Sequence, residues 1–282
     1  MEVSDQKSKF QRFKALHAVE RAFVIPNPWD AGSARLLASL GFDALATTSA
    51  GYAFSKGKLD SFASLERGEI LDNAAEIVGA TDLPVSADLE DGFGAAPETC
   101  GETIRLASQV GLVGGSIEDA TGDPATPIYD LSQAIERVQA AAEAARSLPF
   151  LLTARAENFL WDRPDLEDTI KRLQAFSAAG ADVLYAPGLP DLDAIRTVCA
   201  AVNKPVNVVM GLKGPNFSVA ELSAAGVRRV SVGGSFARAA LGGLMRAAKE
   251  VKTTGTFTYA ADALPASAIA TLMSQEKRSA IE

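Results

Sequence analysis

The chain has 282 residues, 48% of them hydrophobic and 22% charged, which is enough apolar material for a sizeable core and too little charge for a mainly disordered chain. A formal net charge of -8 argues against a nucleic-acid binder or an anionic-membrane binder, because a basic surface supplies the sequence-independent part of those affinities; a local basic pocket stays compatible with it. Cys100 and Cys199 lie far apart without a metal-binding spacing, so neither a disulfide framework nor a zinc cluster is expected, and a reducing cytoplasm is the expected setting.

Residues 1–20 are charged, lack the apolar run of a signal peptide and are expected to form a leading helix. No later apolar run spans a bilayer without Gly or charge, so a soluble chain with no membrane partner is expected. From there, short β-branched runs alternate with longer segments of helical period. Candidate strands fall at 23–28, 44–48, 85–89, 115–118, 150–155, 183–186, 206–210 and 229–232. Helices with Ala/Leu faces are expected at 31–40, 68–80, 97–110, 131–147, 166–179, 191–201 and 219–225. Several end at a glycine just before the next strand (Gly41, Gly180, Gly226), where a left-handed residue can close a helix. Eight such units without a Pro- or Ser-rich linker predict a single (β/α)8 TIM-barrel domain over 1–282, with residues 262–282 as a C-terminal helical extension.

Such barrels work at the C-terminal ends of their strands. Strand three ends Asp88-Leu89-Glu90-Asp91-Gly92, and alternation places Asp88 and Glu90 on one side if the strand continues that far. Strand four ends Glu118-Asp119. Carboxylates gathered without Lys repel one another unless a cation neutralises them, and hard Mg2+ or Mn2+ suits oxygen ligands; the plain alternative is that these acids cap helices or solvate a loop. Arg155 at the tip of strand five can clasp an anionic substrate or pair with a barrel carboxylate, and the two roles are compatible. Thr48, Ser49 and Ala50 lie in a small-residue turn whose hydroxyls and N–H groups can receive carboxylate oxygens. Asn207 on strand seven either completes the pocket or satisfies backbone groups.

Other reactive side chains take plainer readings. Cys100, in the first turn of a helix, reads as structural. His17, the sole histidine, reads as a surface or packing residue, and Lys213 as a mobile or solvent-facing amine.

Pro26-Asn27-Pro28-Trp29-Asp30, Asp88-Leu89-Glu90-Asp91-Gly92-Phe93-Gly94, Ile117-Glu118-Asp119 and Ala154-Arg155-Ala156-Glu157, in this order, resemble motifs of the isocitrate lyase/phosphoenolpyruvate mutase superfamily. The resemblance runs from about residue 20 to residue 245. It implies a Mg2+-dependent barrel acting on 2-oxo acids or their adducts, often a homotetramer that exchanges terminal helices. By position it makes Asp88 the closest metal ligand, with Glu90 and Glu118 reaching the ion directly or through water. Asp60 falls where relatives carry a metal-associated or gating aspartate, Thr48–Ala50 on the carboxylate-holding turn, and Arg155 on the arginine that stabilises an oxyanion.

The chain departs from the lyases in one stretch. After strand four they carry a Lys-Lys/Arg-Cys-Gly-His loop, whereas residues 120–129 here hold no Cys, His or Lys, and the mutase-type Lys-Thr-Asn loop is missing too. A phosphonomutase-like branch without the loop cysteine fits this pattern. The expected activity is metal-assisted C–C cleavage of a small 2-oxo or 2-hydroxy diacid, with oxaloacetate-type decarboxylation ahead of methylisocitrate-lyase-like cleavage. Alternatives are C–P chemistry on phosphonopyruvate, a phosphosugar enzyme with Gly233-Gly234 as phosphate cradle, and a non-catalytic 2-oxo-acid sensor.

Overall fold

A computed structural model describes residues 3–61 and 64–274. In chain order it runs α1 (Val3–Ala18), β1 (Phe23–Ile25), α2 (Ala31–Ser39), β2 (Leu45–Ala46), α3 (Ser49–Ser55), α4 (Arg67–Ala80) and β3 (Val85–Asp88). Next come α5 (Pro97–Gln109), β4 (Gly114–Glu118), α6 (Leu131–Ala145), β5 (Leu151–Arg155), α7 (Leu166–Ala179), β6 (Val183–Tyr185) and α8 (Leu192–Ala201). The chain continues through β7 (Val206–Val209), α9 (Val219–Ala224), β8 (Arg229–Ser231), α10 (Ser235–Thr254) and α11 (Ala266–Ser274).

All ladders are parallel, and in the strand order β1-β8-β7-β6-β5-β4-β3-β2 each strand from β2 to β7 pairs with the next in sequence and β8 pairs with β1. The remaining seam, between β1 and β2, is closed by the Ala46 N–H donating to the Pro26 carbonyl at 3.0 Å. Asn27 bolts the same corner. Its Oδ1 accepts from Val232 and Gly233 N–H at 2.8 and 2.9 Å, and its Nδ2 donates to the Thr47 carbonyl at 2.9 Å. The expected TIM-barrel fold, with additional N- and C-terminal helices, is the one observed.

The packing follows the sequence pattern. Burying the apolar stripes of α4 to α8 against Val85, Ala87, Ile117, Leu152 and Leu184 excludes water from the space between helices and sheet. Gly180 closes α7 at φ 112°, where a side chain would be strained. α1 covers one barrel end, with Phe13 fully buried beside Ile25 and Val113.

Three local expectations are corrected. The first two strands are shorter than the runs 23–28 and 44–48, since the chain leaves the ladder at Pro26 and at Thr47. Residues 48–51 are not a free turn: Thr48 caps α3, its Oγ1 accepting from the Gly51 N–H at 3.2 Å. Between Ser231 and the expected extension lies the 20-residue α10, which the run of expected helices did not include. Of the extension at 262–282, α11 is seen, and 275–282 lie outside the described residues.

Candidate active site

The C-terminal ends of the strands open into a cavity of about 430 Å3. All of the sequence-expected site residues line it: Thr48, Ser49 and Ala50 from the start of α3, Asp60 at the rim, Asp88, Glu90, Glu118, Arg155 and Asn207. Lys213 lies outside it and is exposed, and Cys100 is buried in α5 with its thiol pushed up to about 11 by burial.

Register brings the charged groups together. β3, β4 and β5 are successive neighbours, with Asp88 paired to Ser116 and Glu118 to Arg155, so their terminal side chains emerge side by side. Arg155 occupies the centre. Its Nη1 contacts Asp88 Oδ1 at 3.1 Å and Glu118 Oε2 at 3.0 Å, and its Nε and Nη2 both reach Glu157 Oε1 at 2.9 Å. The Tyr185 ring covers the guanidinium at 4.9 Å. Both sequence-level options for Arg155 therefore meet: it lines the cavity and it pairs with barrel carboxylates.

Asp88 is the most exactly held of the acids. Its Oδ2 accepts from Ser49 Oγ at 2.9 Å and its own N–H donates to Thr47 Oγ1 at 3.1 Å. The hydroxyl of Ser49 thus serves a carboxylate of the protein. Glu90 reaches the cavity by a different route from the one alternation implies: β3 ends at Asp88, and Glu90 takes φ 48°, an uncommon left-handed value for a non-glycine residue. That turn is held by Arg137, buried in α6, which donates to the carbonyls of Asp91, Gly94 and Ala95 and pairs with the Asp91 carboxylate.

Crowding of the acids marks their electrostatics. Loss of water, then the charges of Asp88, Asp91 and Asp60, push Glu90 up to about 8. Burial raises Glu118 well above the usual carboxylate range; the guanidinium of Arg155 opposes the rise, while Glu157 and Asp88 reinforce it. Burial and the nearby Asp88 also raise Asp60. Asp119 faces away from the cavity: it accepts from the Glu157 N–H at 2.8 Å and from Arg172 at 3.0 Å, tying β4 to β5 and α7.

Such a set of mutually opposed oxygen donors fits a hard divalent cation, which would relieve the repulsion. Among the described residues, no three His, Cys, Asp or Glu side chains are grouped so as to hold one ion between them. The donor set therefore fits an ion that takes one or two carboxylates and keeps several waters, the usual Mg2+ arrangement.

Sequence reasoning gave no role to Glu157, Tyr185, Ser231, Arg229 and Arg238, all of which line the cavity. For Arg229 and Ser231 a signal existed, because alternation along β8 puts both on one face. The segment after β4 folds back on itself through an antiparallel bridge between Ala120 and Ile128, with the Thr121 N–H donating to the Pro127 carbonyl at 2.9 Å.

Comparison with known proteins agrees with this geometry. The profile of the phosphoenolpyruvate phosphomutase family matches residues 13–252. A crystal structure from Burkholderia cenocepacia J2315, provisionally described as a lyase/mutase, is 57% identical and superposes with a TM-score of 0.95, covering 99% of this chain and 100% of that one. The 2-methylisocitrate lyase of Shewanella oneidensis is 28% identical over 78% of this chain and 77% of its own length. The oxaloacetate decarboxylase of Chromohalobacter salexigens is also 28% identical, over 77% of this chain and 76% of its own.

Proposed function

Because the chain belongs to the phosphoenolpyruvate mutase/isocitrate lyase superfamily, we propose that it is a divalent-metal-dependent carbon–carbon lyase acting on a small 2-oxo or 2-hydroxy diacid, with oxaloacetate-type decarboxylation as the leading activity. The single observation that carries this reading is the ring of Asp88, Glu118 and Glu157 around Arg155 at the mouth of the barrel. Membership supports lyase or mutase chemistry, and relatives named as 2-methylisocitrate lyase and oxaloacetate decarboxylase support the diacid class.

Asp88 would hold Mg2+ or Mn2+ directly, with Glu90 and Glu118 reaching it directly or through water. When bound, the ion supplies a Lewis acid beside the substrate's carbonyl and carboxylate. The protein's own groups do the rest. Ser49 and Arg155 fix the two oxygens of Asp88. Arg155 offers positive charge where the enolate oxygen develops, and Glu157 and the Tyr185 ring keep its plane in place so that no reorganisation is needed in the reaction. The N-terminus of α3, at Thr48–Ala50, and the Asn207 amide would receive carboxylate oxygens. Asp60, at the rim, would gate access.

Decarboxylation suits this cavity because C–C cleavage then needs no protein acid, and water can protonate the enolate afterwards. The loop at residues 120–129 after β4 supplies no Cys, His or Lys for that step. The name of the matching family favours a second reading, C–P chemistry on phosphonopyruvate in the same cavity. α10 and α11 leave Leu241, Leu244, Met245, Ile269 and Met273 exposed, which supports a homo-oligomer, dimer or tetramer, that covers them with a second copy.

The deciding experiment follows product formation from oxaloacetate, 2-methylisocitrate and phosphonopyruvate with Mg2+ and with EDTA. Pyruvate formed from oxaloacetate only with metal supports the leading reading. Turnover of phosphonopyruvate alone replaces it by the second, and metal-dependent oxalate binding without turnover of any substrate makes the chain a 2-oxo-acid sensor. Activity unaffected by EDTA would sink the metal mechanism.

A further inference from the structure

Five cavity-lining residues, one taken from each of strands β4 to β8, stand in unbroken register, Glu118↔Arg155↔Tyr185↔Asn207↔Arg229. The two arginines of this ladder are held in opposite ways. Arg155 lies among three carboxylates, whereas Arg229 is 5% exposed and has no carboxylate partner among the described residues. Its Nε donates to Asn207 Oδ1 at 2.8 Å, its Nη2 to Thr153 Oγ1 at 3.0 Å, and its Nη1 faces His17 Nε2 at 3.4 Å. Burial pushes the guanidinium down to about 10, so it is still charged at neutral pH.

A buried cation without an anion is costly, and a neutral side chain could fill the space. What a neutral amide or hydroxyl could not do is impose direction. A guanidinium only donates hydrogen bonds. The amide oxygen of Asn207 must therefore face Arg229, and its NH2 must face the other way. One of those N–H groups donates to Ser231 Oγ at 3.1 Å, which leaves the second for a ligand in the cavity. The same constraint runs to the far end of the chain: His17 Nε2 must accept, so Nδ1 carries the proton and donates to the Phe13 carbonyl at 2.8 Å.

We infer that Arg229 is a positioning residue for the reaction, holding the Asn207 amide with its NH2 toward the pocket, where it donates to an oxygen of the anionic substrate. The inference rests on the reading of the cavity as a 2-oxo-acid site. With an acceptor-capable residue at 229 the amide is free to turn, and half of its orientations then set an oxygen against the substrate's carboxylate.

The test is a double-mutant cycle read by calorimetric titration of oxalate in saturating Mg2+. Arg229→Gln and Asn207→Ala should each weaken oxalate about tenfold, the worth of one hydrogen bond. The double variant should again lose about tenfold and not about a hundredfold, since both changes remove one interaction. Mn2+ affinity, followed by paramagnetic resonance without oxalate, should stay at the wild-type value in Arg229→Gln. Arg229→Lys still donates and cannot accept, so it should restore oxalate binding to within about threefold of wild type. Additive losses, or Arg229→Lys as weak as Asn207→Ala, would overturn the inference, and the Lys arm decides alone if Arg229→Gln fails to fold. Wild-type protein that binds no oxalate in Mg2+ overturns the reading of the cavity and the inference with it; normal wild-type binding with additive variants overturns the inference only.

Discussion

Burial of the one histidine should make this fold acid-sensitive in a way that can be measured. His17 is 8% exposed, with its ring edge-on to Phe13 and Phe23 at 4.7 and 5.0 Å and its Nε2 facing the Arg229 guanidinium. Protonation would remove the acceptor and place an imidazolium against a guanidinium in a buried site. Burial first, and Arg229 second, accordingly lower its pKa from 6.5 to about 3. The sign follows from proton counting. Between pH 6.5 and about 3 the unfolded chain binds the proton and the folded chain does not, so stability falls as pH falls through this window; above it His17 contributes no pH dependence. At about 1.4 kcal/mol per pH unit, the step from pH 6.5 to 4.5 should remove about 2 to 3 kcal/mol, a large share of the roughly 5–15 kcal/mol typical of a folded domain. Urea unfolding of wild type and His17→Gln at several pH values isolates it, because carboxyl titrations are common to both and cancel in the difference. The stability gap between the two proteins should shift by about 2 to 3 kcal/mol toward the variant over those two units. Parallel curves would refute the reasoning.

Further outcomes follow from the site and the helical arm. Asp88→Asn should abolish Mg2+ binding, measured by calorimetry, while leaving circular dichroism unchanged; an unaltered titration removes Asp88 as ligand. Arg155→Met leaves Asp88, Glu118 and Glu157 without their shared cation and should destabilise the protein by about 3 to 5 kcal/mol in urea at pH 8, the usual penalty for breaking a buried ion pair from one side. A loss under about 1 kcal/mol would mean the cluster is solvated rather than locked. Leu244→Asp with Met245→Asp, at positions 65% and 67% exposed, should lower the sedimentation coefficient to that of a smaller assembly while leaving the melting temperature of the barrel within a few degrees. An unchanged coefficient would place the oligomer contact elsewhere.

The barrel was legible because its signal repeats. A helix stripe, a glycine and a β-branched run recur along the chain, and no alternative architecture satisfies that order so simply. The candidate site was legible where its side chains stand at strand termini: Asp88, Glu118 and Arg155 end β3, β4 and β5, and parallel register alone brings them together. Legibility failed where direction depends on a turn or a partner. Nothing in Asp88-Leu89-Glu90 signals that the chain leaves the ladder and returns Glu90 through a left-handed residue held by Arg137, an arginine 49 positions from Asp88 in the chain. α3 is seven residues of small and mixed character, too short for a periodic stripe. α10 does carry a one-sided apolar pattern, yet it buries only Ala237, so its stripe is not spent on a strand-helix unit of the barrel and the strand-by-strand reading passed over it.

Arg155 also explains why the pocket can be both acid-rich and open to an anion. A guanidinium with three carboxylates around it is, taken with them, a negative object, so the arginine by itself does not attract a 2-oxo acid. Its value lies in what it prevents. By sharing Nη1 between Asp88 and Glu118 it screens the two acids from each other, and it takes one Asp88 oxygen while Ser49 takes the other. A divalent cation held on Asp88 would offset carboxylate charge that Arg155 otherwise balances alone, and the guanidinium, already oriented by Glu157 and Tyr185, would meet the substrate oxygen without reorienting. On this argument the metal and the arginine would not be parallel devices for binding the same anion: the ion would offset the acids, and the arginine would meet the substrate.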